Sequence, residues 1–130
     1  MPEATRSDWK TKEMPEKNEP FPLEMDLTAG EFALLRQGHI PREMEDKWFR
    51  FFEDGVFYIC RSWTGFCIYR IPVSPDGKIR GGTVNRDPEQ YGETDPCRDG
   101  IMAEYLVSCQ VERPQTRDLI MEYIKWGKTK

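Results

Sequence analysis

Between residues 48 and 86 the chain sets arginines among flat rings, a pairing of side chains suited to an anionic ligand. Trp48, Arg61, Trp63, Arg70 and Arg86 fall in this stretch, and the hydroxyls of Ser62 and Thr64 and the amide of Asn85 lie between them. A guanidinium offers a planar fork of donors that matches phosphate or carboxylate, and an indole can stack on a base. Gly81-Gly82 would let a ligand approach the backbone, since no side chain stands there. The chemistry implied is recognition of a phosphate-bearing molecule of nucleotide or ADP-ribose type. Arg61 and Arg86 would meet phosphate, Ser62 and Thr64 would supply hydroxyls, and Trp48 or Trp63 would stack. A plainer reading stands beside it: arginine stems cover apolar sheet surface while their heads stay in water or pair with acids, and charges on edge strands discourage aggregation.

Other chemistries find less support. The cysteines Cys60, Cys67, Cys97 and Cys109 contain no C-x-x-C pair, so zinc-ribbon and thioredoxin-type geometry is missing and buried free thiols are expected. A single histidine, His39, removes most Cys-His, Ser-His and His-rich metal schemes. The acids Asp87, Glu89, Glu93, Asp95 and Asp99 do not follow the spacing of a calcium loop and read as caps and helix-dipole partners. "GGTVNR" lacks the spacing and the Lys-Ser/Thr of a phosphate-binding loop. Neither metal nor cofactor is therefore expected. A formal net charge of -4 argues against bulk binding of nucleic acid or anionic membrane, though it permits a local basic face. No apolar run approaches a bilayer span, and residues 1–10 show no export signal, so the expectation is a cytoplasmic protein.

The elements that must position these residues follow from punctuation and period. Residues 1–20 are rich in Pro, Glu, Lys and Thr and read as a flexible N-terminal tail, leaving 21–130 as a single domain. Thr28 with Glu31 forms a capping box and Leu27 with Phe32 a hydrophobic staple, predicting a helix from Ala29 to Gln37 that Gly38 ends. Short apolar and aromatic runs then predict antiparallel strands at 47–53, 56–62, 65–73 and 78–86, divided by Asp54-Gly55, Trp63-Thr64 and Ser74-Pro75-Asp76-Gly77. A brief turn at Asp87-Pro88-Glu89 precedes helices over about 97–112 and from Thr116, the latter ending near Gly127. The expected fold is α+β: a four-stranded antiparallel meander with one helix before it and two or three after it, packed on one face.

Alternation sorts the sheet into two faces. If the Asp54-Gly55 turn is regular, Phe49, Phe51, Tyr58, Cys60, Cys67, Tyr69 and Ile71 share one face, and Trp48, Arg50, Phe52, Phe57, Ile59, Arg61, Phe66, Ile68 and Arg70 the other. A bulge at Gly77 adds Gly82, Val84 and Arg86 to the second. The first face, almost wholly apolar, is expected under the helices, and the arginine-bearing face is expected to stay partly open. A one-residue slip would exchange the two.

"EDKWFRFFEDGVFYICRSWTGFCIYRI" followed by "VNRDPEQYGETD" resembles a group of small bacterial proteins in which a Lys-Trp strand, an Arg-Ser-Trp-Thr-Gly hairpin and an Asn-Arg-Asp segment occur together. The resemblance spans residues 45–95 and implies a bacterial or phage-borne cytoplasmic protein. It carries no catalytic residue over, and it draws Trp48, Arg61, Ser62, Trp63, Thr64, Asn85 and Arg86 together as one candidate site. Three functions follow as expectations. The first is a small module binding an anionic ligand, and the second is a protein-interaction module that regulates or inhibits a larger partner through the same Trp/Arg face. The third is an enzyme acting on a nucleotide or ADP-ribosyl substrate through a carboxylate such as Asp87 or Glu89. The sequence leaves the oligomeric state open.

Overall fold

The computed structural model describes residues 4–43, 46–114 and 116–129, the side chains of 116, 117 and 126–129 excepted. A single 3-10 turn, Arg6–Asp8, is followed by β1 (Asn18–Asp26), α1 (Ala29–Gln37), β2 (Trp48–Glu53), β3 (Val56–Arg61), β4 (Cys67–Pro72), β5 (Lys78–Asn85), α2 (Pro96–Gln110) and α3 (Thr116–Thr129). The class is α+β with an antiparallel sheet, but the sheet has five strands rather than four, in the order β1-β5-β4-β3-β2. The added strand, β1, begins inside the stretch drawn as tail and buries Phe21, Leu23 and Met25 on one side. Its prolines Pro20 and Pro22 are tolerated because β1 is an edge strand, where a missing N–H on the open side costs no ladder bond.

The local predictions that rest on turn and cap chemistry match. Thr28 accepts from the Glu31 amide (3.1 Å) while Glu31 accepts from the Thr28 amide (3.0 Å), and Gly38 closes α1 at φ 66°. Asp54 and Gly55, both at positive φ, join β2 to β3 with the expected pairs Phe49–Cys60, Phe51–Tyr58 and Glu53–Val56. Asp95 caps α2 through the Cys97 amide (2.9 Å), with Pro96 in the first turn. Gly127 does not end α3, which continues to Thr129.

The assignment of faces needs correction. The pairing of β3 with β4 shifts between Ile59 and Cys60: Cys60 faces Cys67, but Ile59 faces Tyr69, so Ile68 is an extra residue in β4. Beyond this bulge Tyr69 and Ile71 join Phe57 and Ile59, while Arg70 crosses to the side of Tyr58. The helices cover this second face, not the first. Phe57, Ile59, Ile68, Tyr69, Ile71 and Val84, all buried, pack there with Phe21 and Leu23 of β1, Leu35 of α1 and Ala103, Leu106 and Val107 of α2. The first face is buried as well, by residues outside the helices: Phe49, Phe51, Cys60 and Cys67 pack against Ala4, Trp9 and Met14. Two apolar faces alternate along these strands, so period alone could not say which one the helices would take.

The N-terminal stretch that forms this second cover is tied at several points. The Ala4 amide donates to Gln37 O (2.7 Å), Arg6 pairs with Glu53 (2.9 Å), the Trp9 indole donates to Ser62 O (2.6 Å) and the Lys12 amide donates to Gly65 O (2.7 Å). Of the stretch read as tail, Met1, Pro2 and Glu3 lie outside the described residues. On the helix side α2 turns Gly100 and Ala103 toward the sheet, and a Cβ at Gly100 would stand 2.4 Å from Pro22 O. Small residues therefore let α2 lie close to β1, and the buried stripe of α2 falls on Asp99, Gly100, Ala103, Leu106, Val107 and Ser108.

Candidate functional site

Asn85 and Arg86 end β5 and are used by the fold. Asn85, fully buried, donates to Cys67 O (2.9 Å) and Gln90 (2.8 Å) and accepts from the Asp87 amide (2.8 Å). Arg86 donates to Glu19 (2.5 Å), to Glu93 O (2.9 Å) and to the buried carboxylate of Asp99, which also accepts from the hydroxyls of Tyr69 (3.1 Å) and Tyr91 (3.2 Å). Burial, only partly offset by Arg86 and the two phenols, holds the Asp99 carboxyl above its usual range. Each of the three guanidinium nitrogens of Arg86 already donates to a protein oxygen, and its side chain is largely buried, so the fold itself uses this arginine. At Gly82 the space expected for a ligand is taken by Phe21, since a Cβ there would meet its ring at 2.6 Å, whereas a Cβ at Gly81 would meet only Phe21 O at 3.5 Å, and both glycines line a cleft of about 1050 Å³ beside β1.

Trp48 and Arg61 are cross-strand partners on the helix side, at the end of the sheet. The Arg61 guanidinium lies 4.7 Å from the Trp48 ring and 5.8 Å from that of Tyr91. This cation–π contact uses the ring surface that was expected to stack on a base. Arg70 lies across the sheet from them, on the side of Tyr58, so Arg61, Arg70 and Arg86 do not converge.

The Arg-Ser-Trp-Thr-Gly reversal separates its residues by role. Ser62 is buried and its hydroxyl donates to Asp46 O (2.6 Å), pinning the loop after α1 to the end of β3. Thr64 accepts from the Phe66 amide (3.2 Å) and shapes the turn. Gly65 takes φ 81°, with Lys10 O at 3.0 Å from where a Cβ would stand, so only glycine fits the N-terminal stretch against the turn. Trp63 is turned outward at 64% exposure, the most exposed large apolar side chain among the described residues.

Of the clefts along the loop between α1 and β2, two hold residues proposed from sequence. The larger, about 550 Å³, lies at the reversal and is lined by Trp9, Lys10, Pro41, Arg42, Ser62 and Trp63, with Glu43. Neither Lys10 nor Arg42 forms an ion pair among the described residues. The smaller, about 350 Å³, lies between the edge of β2 and α2 and is lined by residues that include His39, Trp48, Arg50 and Tyr105. Of the residues proposed from sequence, Ser62 and Trp63 meet in the first cleft and Trp48 lies in the second. Lys10 and Arg42 stand outside the strands and are not among the residues proposed from sequence, and Trp9 falls in the stretch assigned to the tail, from which it could dock on the domain. The signal for Trp9 was present, a lone indole in an otherwise polar stretch. Among the described residues no group of three or more His, Cys, Asp or Glu side chains is arranged to hold a metal ion, and no helix is long and apolar enough to cross a membrane.

Comparison with models of known protein families, with curated proteins and with solved structures gave no match.

Proposed function

We propose that the chain is a small binding module for an anionic ligand that carries a flat ring, of nucleotide or ADP-ribose type, seated in the cleft at the Arg-Ser-Trp-Thr-Gly reversal. One observation carries this reading: two indoles, Trp9 and Trp63, line the same cleft as Lys10 and Arg42, two cations without a carboxylate partner among the described residues. Trp63 offers a ring surface for stacking, the two cations face phosphate, and Glu43 is an acceptor for ribose hydroxyls. Ser62 supports the rim through Asp46 instead of touching ligand. Thermal melts with a panel of AMP, ADP and ADP-ribose test the proposal. A ligand at a hundred times its dissociation constant should stabilise the fold by about 2.7 kcal/mol, and Trp63→Ala should abolish the shift. No shift with any phosphate-bearing compound would sink it.

The exposure of Trp63 favours a second reading, a protein-interaction module with this indole at the centre of the contact, since tryptophan and arginine are enriched at such centres. The enzymatic alternative gains nothing from the geometry of its carboxylates: Asp87 caps the Glu89 amide (3.0 Å), and Glu89 is exposed.

A further inference from the structure

Arg50 occupies an unusual position for an arginine. It lies in β2 on the face covered by α2, its Nε is buried with no hydrogen-bond partner, and its guanidinium forms no ion pair among the described residues. Burying a charge is costly unless a partner of opposite sign repays the lost hydration. The other arginines withdrawn from water here are repaid: Arg86 by Asp99 and Glu19, Arg98 by Glu93, Arg113 by Glu31. Arg50 instead faces the cleft of about 350 Å³ between the β2 edge and α2.

That cleft is built around Arg50. The chain leaving α1 adds a single bridge to the edge of β2: His39 N donates to Arg50 O (2.8 Å), and Arg50 N donates to His39 O (3.0 Å). Directly opposed residues share a face, so the imidazole stands beside the guanidinium. Gly38 makes the approach possible, because a Cβ there would lie 2.3 Å from Arg50 O. Lys47 and Trp48 form another wall, and Tyr105 of α2 adds a phenol. Among the described residues Asp46 is the one carboxylate of the lining, and it is held by the Arg42 amide (2.8 Å) and by His39 Nε2 (3.3 Å).

We propose that this cleft is a binding site for a small oxyanion, phosphate or carboxylate, with Arg50 as its anchor and Lys47 and Tyr105 as further donors. The site shares no lining residue with the Trp63 cleft and stands independently of the function proposed for that cleft. The guanidinium fork supplies paired donors to two oxygens of the anion, and the desolvation that is uncompensated at Arg50 becomes attraction. The volume suits an ion or the end group of a ligand, not a whole nucleotide.

His39 is a built-in reporter, since it is the only histidine of the chain. Burial and then the charge of Arg50 press its pKa below the ordinary value, against the pull of Asp46. Among the described residues, the charged or titratable groups around it are Asp46 and Arg42 of its own loop, Lys47 and Arg50 at β2, and Tyr105 and Cys109 of α2. An anion on Arg50 would cancel the repulsion and raise the imidazole pKa. The test is an NMR titration of the full chain at constant ionic strength, with inorganic phosphate in one arm, acetate in a second and chloride as background, following the His39 ring resonances. Saturable shifts with phosphate or acetate, accompanied by an upward move of the His39 titration midpoint, are expected, and the tighter arm identifies the preferred oxyanion. Arg50→Met should weaken binding about 10- to 100-fold. Arg50→Lys, which keeps the charge and guards against misfolding of the first variant, should weaken it less. Shifts no larger than those in chloride, or shifts that survive Arg50→Met unchanged, would overturn the proposal. Trp63→Ala should leave the phosphate response of His39 intact, so failure of the nucleotide reading and failure of this one are separable.

Discussion

Asp99 is the residue on which most of the buried polar structure depends. It sits in the first turn of α2 with no exposed surface, and it is the shared acceptor of Arg86, Tyr69 and Tyr91, whose hydroxyls are also 2.8 Å from each other. Burial and the neighbouring Tyr91 and Asp99 push the Tyr69 phenol well above its ordinary pKa, and burial pushes Tyr91 up too, so both remain donors across the working range of pH. Removing one partner of a buried pair leaves the other uncompensated, and Asp99→Asn should cost about 3 kcal/mol in urea unfolding. Asp99→Asn with Arg86→Met should recover part of that loss, because both charges are then gone. A loss below about 1 kcal/mol for the single variant would show the pair to be better hydrated than its burial indicates. The sequence suggested that Asp99 serves the helix dipole and that Arg86 meets a ligand. Each residue was legible as a charge, but their meeting depends on β1 lying beside β5 and α2 lying over both.

Among the elements, α1 and the turn that follows α2 are clipped together by Glu31 and Arg113, with Nε to Oε2 at 2.7 Å and a second bond at 2.9 Å from Nη2. The hydrogen bond from Arg113 lowers the Glu31 pKa most, and the Thr28 backbone adds to that effect against burial. A carboxylate held below its unfolded value contributes stability that is fully present above the ordinary carboxylate range and is lost as pH falls through its folded value. Glu31→Gln should therefore cost about 1 kcal/mol at pH 7 and almost nothing in strong acid, read from urea midpoints at several pH values. At the other contact of α2, Gly100→Ala should destabilise by about 2 kcal/mol despite better helix propensity, since the new methyl group meets backbone that cannot yield. A helix bounded by caps was readable to the residue at Ala29–Gln37. The bulge at Ile68 was not, because one extra residue in a run where both parities are apolar leaves no break in the pattern. β1 was missed for a related reason: Phe21, Leu23, Met25 and Leu27 do alternate, but Pro20 and Pro22 mask the alternation.

For the molecule as a whole, the sheet is a layer covered twice, by helices on one side and by residues 4–14 on the other. Cys60 and Cys67 lie under the second cover at 1% and 2% exposure, while Cys97 is exposed. A chain lacking residues 1–14 should melt at a lower temperature, and its Cys60 and Cys67 should react with a thiol reagent under native conditions. In the full chain Cys97 should react first and those two only on unfolding. Equal protection of Cys60 and Cys67 in both chains would mean that the cover contributes little. Trp9 belongs to both parts of this arrangement: it packs on the covered face and it lines the cleft at Trp63. Occupancy of that cleft and closure of the cover are thus two equilibria with a common member, and a ligand that needs Trp9 in its packed position must favour closure to the same degree as closure favours the ligand. A ligand at Trp63 would then slow exchange of the Lys12 amide and protect thiols it never touches, so the chain would report on its ligand through the opposite layer of its own sheet.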